Sequence, residues 1–441
     1  MASPSNYRTI GLISAISLVA GNLVGSGAFM LPSALADYGS ISLLSWVFTS
    51  AGAVILALIF AKFSMKYHNT GGPHVFAGEA FGSHVSFFVA WGYWMLTWIG
   101  NAAIVVAMYG YLSDLSDGRL ETHHLFLIGL LVLFVITLVN LKGIKEASFI
   151  QNLITILKLV PMVFVPIAAF FIFDAQRLTN FVPEGKSALG AFNSAALLTL
   201  WSFVGIESAT VPAEEIKEPH KTIPKATVYG TLIAAAIYII GNIALLGAVD
   251  HQDLAASHAP FAMAADRVFG GLFWGNVVAA AAVICCIGTL NGWMLVVGQI
   301  PFGAAKQGLF PKIFAHQSNR RVPTYGIIIS AICMTGILTM TFDPDLSEQF
   351  AFIAELATTT ILLLFVVMLF AFGALIRKGV FPSRIDGLLL ILGSFYTLWT
   401  LYGAGIKMLV LSSIVVVSGA PMYIYMRKKL PIRRPISAVV N

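Results

Sequence analysis

Charged residues are scarce in this sequence. They make up 10% of its 441 residues, whereas a soluble domain carries about 25%. Hydrophobic residues make up 58%. A soluble fold of this length has too little interior to bury so much apolar surface, so the composition predicts an all-α polytopic membrane protein embedded in a lipid bilayer.

Motifs for catalysis, metal binding and disulfide formation are also missing. The three cysteines, Cys285, Cys286 and Cys333, all lie in apolar stretches, which argues against a disulfide framework or a zinc site. The sequence has no HExxH, GxSxG or Walker motif, so nothing in it indicates an enzyme. Ionisable residues within the apolar stretches are isolated and do not form the charged rings expected of a channel. No cleavable signal precedes the first stretch, which is therefore expected to stay in the membrane.

Twelve apolar stretches are long enough to span a bilayer; they are centred near residues 22, 52, 98, 132, 160, 202, 236, 287, 332, 363, 395 and 416. When loops are assigned alternately to two sides, 20 of the 26 Lys and Arg residues fall on one side, five on the other, and Lys158 within a span. This bias predicts that the basic side, with both termini, is cytoplasmic. The basic tail is expected to contact lipid headgroups, and no nucleic-acid binding is predicted.

Three glycines interrupt the first span, in the stretch GNLVGSGAF at residues 21–29. Glycine costs about 1 kcal/mol in a helix interior relative to alanine, and irregular backbone survives in a membrane only where it is buried in protein or lines a cavity. The interruption therefore indicates either close helix packing or a binding site.

A second interrupted span favours the binding site. The sixth span, TLWSFVGIESATVPAEE at residues 199–215, contains Gly205, which lies 180 residues after Gly25. Paired broken helices at matching positions of inverted repeats are typical of secondary transporters. We predict a first repeat at about 10–175, a second at about 190–378, two further helices at about 385–426 and a basic cytoplasmic tail at 427–441.

The breaks also suggest the substrate. A half-helix that begins at the first break presents amide N–H groups and a positive dipole end, which suit a carboxylate. Free carbonyls at the second break suit an ammonium group. Together they predict a receptor for an α-amino acid.

These stretches resemble a known family. GNLVGSGAFMLPSALADYG, WGYWMLTWIGNAAIV, TLWSFVGIESATVPAEEIKEPHKTIPKAT and GTLNGWMLVVGQIPFGAAKQGLFPKIFA are similar to spans one, three, six and eight of the amino acid–polyamine–organocation superfamily. Within it, the chain most resembles bacterial basic amino acid/polyamine antiporters, especially those that exchange arginine for agmatine. The resemblance implies ten core helices in two inverted repeats of five, two additional helices, a homodimer in many members, and no cofactor.

The resemblance also implies which residues bind substrate. The amides of Gly25, Ser26 and Gly27 would bind the carboxylate, and Trp201 and Trp293 would lie beside the side chain or ammonium, which an aromatic ring attracts. Asn101 is a lone amide within a span, suited either to substrate or to an interhelical hydrogen bond. The remaining predicted substrate residues are Asn22, Leu23, Thr97, Ser202, Val204 and Ala357.

Five residues are candidates for gating or coupling. Ionisable residues within spans are costly and usually functional. Glu207 matches a gating and coupling glutamate of the family, and Tyr93 matches a family residue at the gate. Lys158 departs from the arginine/agmatine pattern and matches proton-coupled members instead. Glu355 has no counterpart; it would pair with Lys158 or Glu207, face a substrate cation, or lie at the outer mouth. His74 replaces a tyrosine tied to pH sensing, unless it is a solvated loop histidine.

Two modes of transport follow from these features. One is exchange of a basic amino acid for its decarboxylated amine by alternating access at the bacterial inner membrane. The other is proton-coupled amino acid uptake, favoured by Lys158 and by the apolar residues Leu96 and Ile104 at the far end of the pocket, which weaken the case for a guanidinium.

Overall fold

The chain folds almost entirely into helices. The structure, a computed structural model, describes residues 10–340 and 346–428; the predicted basic tail from residue 429 onwards lies outside the described residues. The helices in the described part are α1 (Leu12–Leu23), α2 (Ser26–Ala36), α3 (Ile41–Ser64), α4 (Pro73–Phe81), α5 (Ser83–Leu115), α6 (Thr122–Lys142), α7 (Ile144–Ala169), α8 (Ala188–Trp201), α9 (Pro219–Ala248), α10 (His251–Ala255), α11 (Pro260–Phe269), α12 (Leu272–Lys306), α13 (Thr324–Met340), α14 (Leu346–Arg377), α15 (Arg384–Gly403), α16 (Gly405–Val417) and α17 (Ala420–Met426).

All twelve predicted spans correspond to helices. Ten helical segments in the described part are long and apolar enough to cross a membrane, and the shorter apolar helices α8 and α13 account for spans six and nine. Such helices satisfy their backbone groups internally, as a bilayer requires. The prediction of an all-α polytopic membrane protein is confirmed. The boundaries of the two repeats stay a prediction.

The two broken spans lie in the interior of the bundle. The first span consists of α1 and α2, and α1 packs against α7, α9 and α12. The sixth span begins as α8, which packs against α3 and α14, and continues beyond residue 201 as irregular turns. The long helix α5 packs against α12 and α14 and is buried along most of its length, whereas α15 and α16 form part of the outer surface. The helices that surround the breaks are therefore those expected to carry the site.

Contacts between loops agree with the predicted sides of the membrane. Lys62 of α3 lies 3.0 Å from the Asp386 carboxylate, and Lys306 lies 2.7 Å from Glu214. Each pair joins two loop regions that the charge bias places on the cytoplasmic side. On the other predicted side, Lys186 donates a hydrogen bond to a backbone carbonyl in the loop after α2 (2.6 Å).

Candidate functional site

The first span breaks where predicted. The α1 helix ends at Leu23 and α2 begins at residue 26, with Val24 outside the helical region (φ −72°, ψ 87°). A Cβ atom on Gly25 would lie 2.6 Å from Cγ2 of Thr289 in α12, closer than real contacts allow. Glycine at this position therefore lets the break approach α12 directly.

The freed carbonyls of the first break are bonded to neighbouring helices. The Tyr238 hydroxyl of α9 donates to the carbonyl of Leu23 (2.6 Å), and also lies 3.1 Å from the carbonyl of Ser202 in the second break. The Thr289 hydroxyl lies 3.5 Å from the carbonyl of Val24. Side chains of α9 and α12 thus supply the hydrogen bonds that the carbonyls of the break lack, and buried backbone in a membrane requires such partners.

The freed amides have no such partners. Neither the Gly25 nor the Gly27 amide donates a hydrogen bond to another described residue. These N–H groups lie where α2 begins, at the positive end of its dipole, which favours an anion. The predicted side-chain contribution of Ser26 lies outside what the structure describes. The arrangement can bind a carboxylate through backbone amides.

The second break begins directly after Trp201. Gly205 adopts φ +116°, a conformation that side chains rarely adopt, and a Cβ atom there would lie 2.9 Å from the Trp293 ring. The chain continues in short 3₁₀ turns at residues 208–210 and 213–215. The glycine thus allows the break to turn beneath the tryptophan of α12.

A cavity lies between the two breaks. It holds about 20 Å³ of space, room for little more than one water molecule. Ten of the twelve predicted substrate residues line it: Asn22, Leu23, Gly25, Gly27, Thr97, Asn101, Trp201, Ser202, Val204 and Trp293. The structure therefore brings these residues together around a site in a closed form, which must widen to admit an amino acid.

Unpartnered polar atoms point to a ligand in this cavity. Both side-chain polar atoms of Asn22, the Asn101 oxygen and the Ser202 hydroxyl are buried without a hydrogen-bond partner among the described residues. Buried polar groups normally have partners, because leaving one unmade costs about 1–3 kcal/mol. An ammonium or carboxylate in the cavity would supply them.

Aromatic side chains make contacts at the start of the second break and within it. The Trp201 ring lies against Gly100 and makes an edge contact with Phe350 at the start of α14, with ring centroids 6.1 Å apart. Within the second break, the Tyr93 hydroxyl donates to a carboxylate oxygen of Glu207 (2.8 Å), and the other oxygen is buried without a partner among the described residues. Tyr93 and Glu207, which were predicted separately as gating candidates, are therefore bonded to each other in the structure.

Lys158 is fully buried beside the first break. Its ammonium donates to the carbonyl of Gly21 and lies 3.3 Å from the Thr289 hydroxyl. The ion pairs of the described residues include no carboxylate bound to this lysine. A buried cation without a counter-ion is costly, so its position against the broken helix indicates a role beyond packing.

Glu355 lies near a lysine at the start of α16, the last span. It is half-buried near the start of α14 and interacts electrostatically with Lys407 and Tyr38. The Lys407 ammonium in turn lies 5.9 Å from the centre of the Phe352 ring. The ion pairs of the described residues join Glu355 to neither Lys158 nor Glu207, and its position at an outer mouth stays a prediction.

His74 is buried and not a solvated loop residue. It lies in α4, between the second and third spans, and its backbone carbonyl accepts a hydrogen bond from Ser86 (2.7 Å). Burial lowers the pKa of the imidazole to about 4. The nearby Gly71 amide donates to the carbonyl of Val211 (2.9 Å), which joins this segment to the irregular turns that follow the second break.

Comparison with known proteins agrees with this geometry. The family model described as amino acid permease matches residues 10–426. The chain belongs to this amino acid permease family. Because the family consists of transporters, the predictions of a membrane transporter for amino acids or polyamines, and of no enzymatic activity, are confirmed.

Curated relatives match over most of the permease. The putrescine transporter PotE of Escherichia coli is 30% identical over 425 residues, covering 96% of this chain and 97% of its own. PotE of Haemophilus influenzae is also 30% identical, covering 98% and 100%. The cadaverine/lysine antiporter of E. coli is 33% identical over 341 residues, covering 76% of each chain.

Two residues that line the permease cavity were not predicted, and one predicted residue lies behind it. Gly100 and Thr289 line the cavity, whereas Ala357 is buried behind Gly100, 3.8 Å from where a Cβ atom on that glycine would be. Gly100 directly precedes Asn101 on α5, so its position next to a predicted substrate residue could have identified it. The position of Thr289 depends on a contact between α12 and the first break, which no local pattern reveals.

Proposed function

We propose that this permease exchanges a basic amino acid for a diamine by alternating access at the bacterial inner membrane. The observation that supports this best is the closed cavity between two helix breaks, with free Gly25 and Gly27 amides and with the Asn22 side chain and the Asn101 oxygen buried without partners. The amides bind the carboxylate of the amino acid. The diamine lacks a carboxylate and uses the remaining contacts.

The side-chain ammonium is recognised without a carboxylate in the cavity wall. The lining residues near Asn101 are Trp201, Trp293, Thr97 and the apolar Leu96. Indole faces and amide or hydroxyl oxygens attract an ammonium group, and a desolvated cation–π contact contributes about 2 kcal/mol. This chemistry suits lysine, ornithine and their amines better than a guanidinium, which prefers a bidentate carboxylate.

Alternating access follows from the two closures. Opening on the outer side requires Trp201 to leave Gly100 and Phe350, and opening to the cytoplasm requires separation around Tyr93 and Glu207. Because Glu207 has one free carboxylate oxygen in a buried setting, gain or loss of a proton there changes its bond to Tyr93. The excess of Lys and Arg on one side supports a cytoplasmic location for both termini. The homodimer that the resemblance implies is tested by light scattering.

Proteoliposomes test the exchange. Vesicles loaded with cadaverine or putrescine, or left empty, are given labelled lysine or ornithine outside. We expect entry into amine-loaded vesicles only, and no entry into empty vesicles even when an inward proton gradient is imposed. Entry into empty vesicles driven by an inward proton gradient would contradict exchange.

That contradicting result would favour a second candidate, proton-coupled amino acid uptake. The specific observation in its favour is Lys158, a buried ammonium bound to the Gly21 carbonyl of the broken helix. Release of its proton would free that carbonyl and alter the break, which couples a proton to the shape of the site.

A further inference from the structure

A groove separate from the substrate cavity opens on the lipid-facing surface between α14 and α15. Its volume is about 820 Å³. Apolar side chains such as Leu369, Phe370 and Leu398 form its walls, and the small residues Gly373 and Ala374 form its floor. Because small residues on α14 face α15 here, the two helices leave a recess that neither fills.

The groove has the length of one membrane leaflet. Along α14 its lining runs from Val366 to Arg377, and the eleven steps between these residues rise about 16 Å at 1.5 Å per residue. The hydrocarbon core of a bilayer is about 30 Å thick, so the groove covers about half of it. Its far end lies on the basic side that is predicted to be cytoplasmic.

That end is positively charged. Arg377 lines the groove and is exposed, Lys378 follows it with its ammonium 3.3 Å from the carbonyl of Ala80, and Arg384 begins α15. The nearby acid on α15, Asp386, is buried and paired with Lys62 at 3.0 Å. The mouth of the groove therefore presents cations whose closest acid on α15 is already neutralised.

We propose that this groove binds an anionic phospholipid, with an acyl chain in the apolar recess and the phosphate at Arg377. An acyl chain gains from burial in proportion to its methylene groups, and basic residues attract anionic headgroups at the membrane surface. The planar guanidinium matches a phosphate through two parallel hydrogen bonds, which makes Arg377 the residue that selects the headgroup. The proposal does not depend on which substrate the permease carries.

Native mass spectrometry of the full chain tests the proposal. Delipidated protein is incubated with phosphatidylglycerol or phosphatidylcholine, and retained lipid is counted at equal collision energy. We expect the wild type to retain more phosphatidylglycerol than phosphatidylcholine. Arg377→Gln should retain about fivefold less phosphatidylglycerol than the wild type, since one basic residue near an anionic surface contributes about that factor. Ala374→Phe, which fills the floor of the groove, should reduce retention of both lipids. Arg377→Lys should retain more phosphatidylglycerol than Arg377→Gln but less than the wild type.

The matched control is Lys225→Gln, which removes one exposed positive charge from α9 on the same predicted side. It should behave like the wild type. Equal retention of both lipids by the wild type would overturn the proposal, as would wild-type retention by both Arg377→Gln and Ala374→Phe. A lipid-free dimer, in which a second copy covers the groove, would also overturn it. The unfolding temperature of each variant is measured alongside, and Arg377 is exposed, so its replacement leaves the core intact.

Discussion

Replacing Gly27 by alanine perturbs the carboxylate end of the site at one point. The new Cβ would lie 2.6 Å from the Ser202 hydroxyl and 2.9 Å from Cδ1 of Trp201. Contacts this short force the two breaks apart. The Gly27 amide then moves away from a carboxylate that it is proposed to bind.

The expected loss follows from the strength of one hydrogen bond to a charged group, about 1.5–3 kcal/mol. Such a loss weakens binding of the amino acid by about 10- to 150-fold. The decarboxylated amine has no carboxylate, so its binding free energy falls only by the contribution of the displaced Trp201. The ratio of the two dissociation constants should therefore change at least about tenfold.

Isothermal titration of purified protein with lysine and with cadaverine measures this ratio. Gly336→Ala in α13 is the matched control, because nothing lies within 4 Å of a Cβ atom there. Alanine favours helix more than glycine, so helix propensity cannot explain weaker binding by the Gly27 variant, which lies in the first turn of α2. Equal weakening of both ligands would refute the assignment of the carboxylate to this amide.

Three further predictions concern the aromatic, basic and histidine residues. Trp201→Ala and Trp293→Ala should each weaken substrate binding at least tenfold, or about 1.4 kcal/mol, in calorimetry; unchanged affinity of both variants would contradict the site. Lys158→Ala should alter the pH dependence of transport in proteoliposomes. A pH profile identical to that of the wild type would show that Lys158 has only a structural role. Burial lowers the pKa of His74 to about 4 in the folded chain, against about 6.5 when unfolded. Between these values only the unfolded chain binds the proton, so the free energy of unfolding should fall by about 3 kcal/mol as pH drops from 6.5 to 4. His74→Leu should lose that dependence in thermal unfolding, and retaining it would show that another group is responsible.

The membrane topology and the breaks were predictable because both are local. Apolar length identifies a span, and Gly25 and Gly205 mark the irregular backbone where it occurs. The predicted neighbours Asn22, Trp201 and Trp293 line one cavity because each lies on a broken span or on a helix that packs beside one.

The remaining features depend on contacts between distant helices. Thr289 reaches Val24 across 265 residues of sequence, and Tyr238 reaches Leu23 across 215. Neither residue stands out locally, because a hydroxyl in an apolar span usually bonds to its own helix. The burial of His74 likewise depends on how α4 packs against α5 and α14, which its Gly- and Pro-containing sequence does not reveal.

The Tyr238 hydroxyl has a consequence for the transport cycle. A tyrosine carries a single proton to donate, yet its oxygen lies near two carbonyls, one from each break, at 2.6 Å from Leu23 and 3.1 Å from Ser202. The shorter contact satisfies the Leu23 carbonyl, and the Ser202 carbonyl receives at most a shared proton. An ammonium group brings three protons to the same region. We therefore expect that in the empty permease Tyr238 bonds fully to the first break and only weakly to the second. A bound amine should supply the missing hydrogen bond to the Ser202 carbonyl, so that the substrate itself links the two breaks about which the helices move.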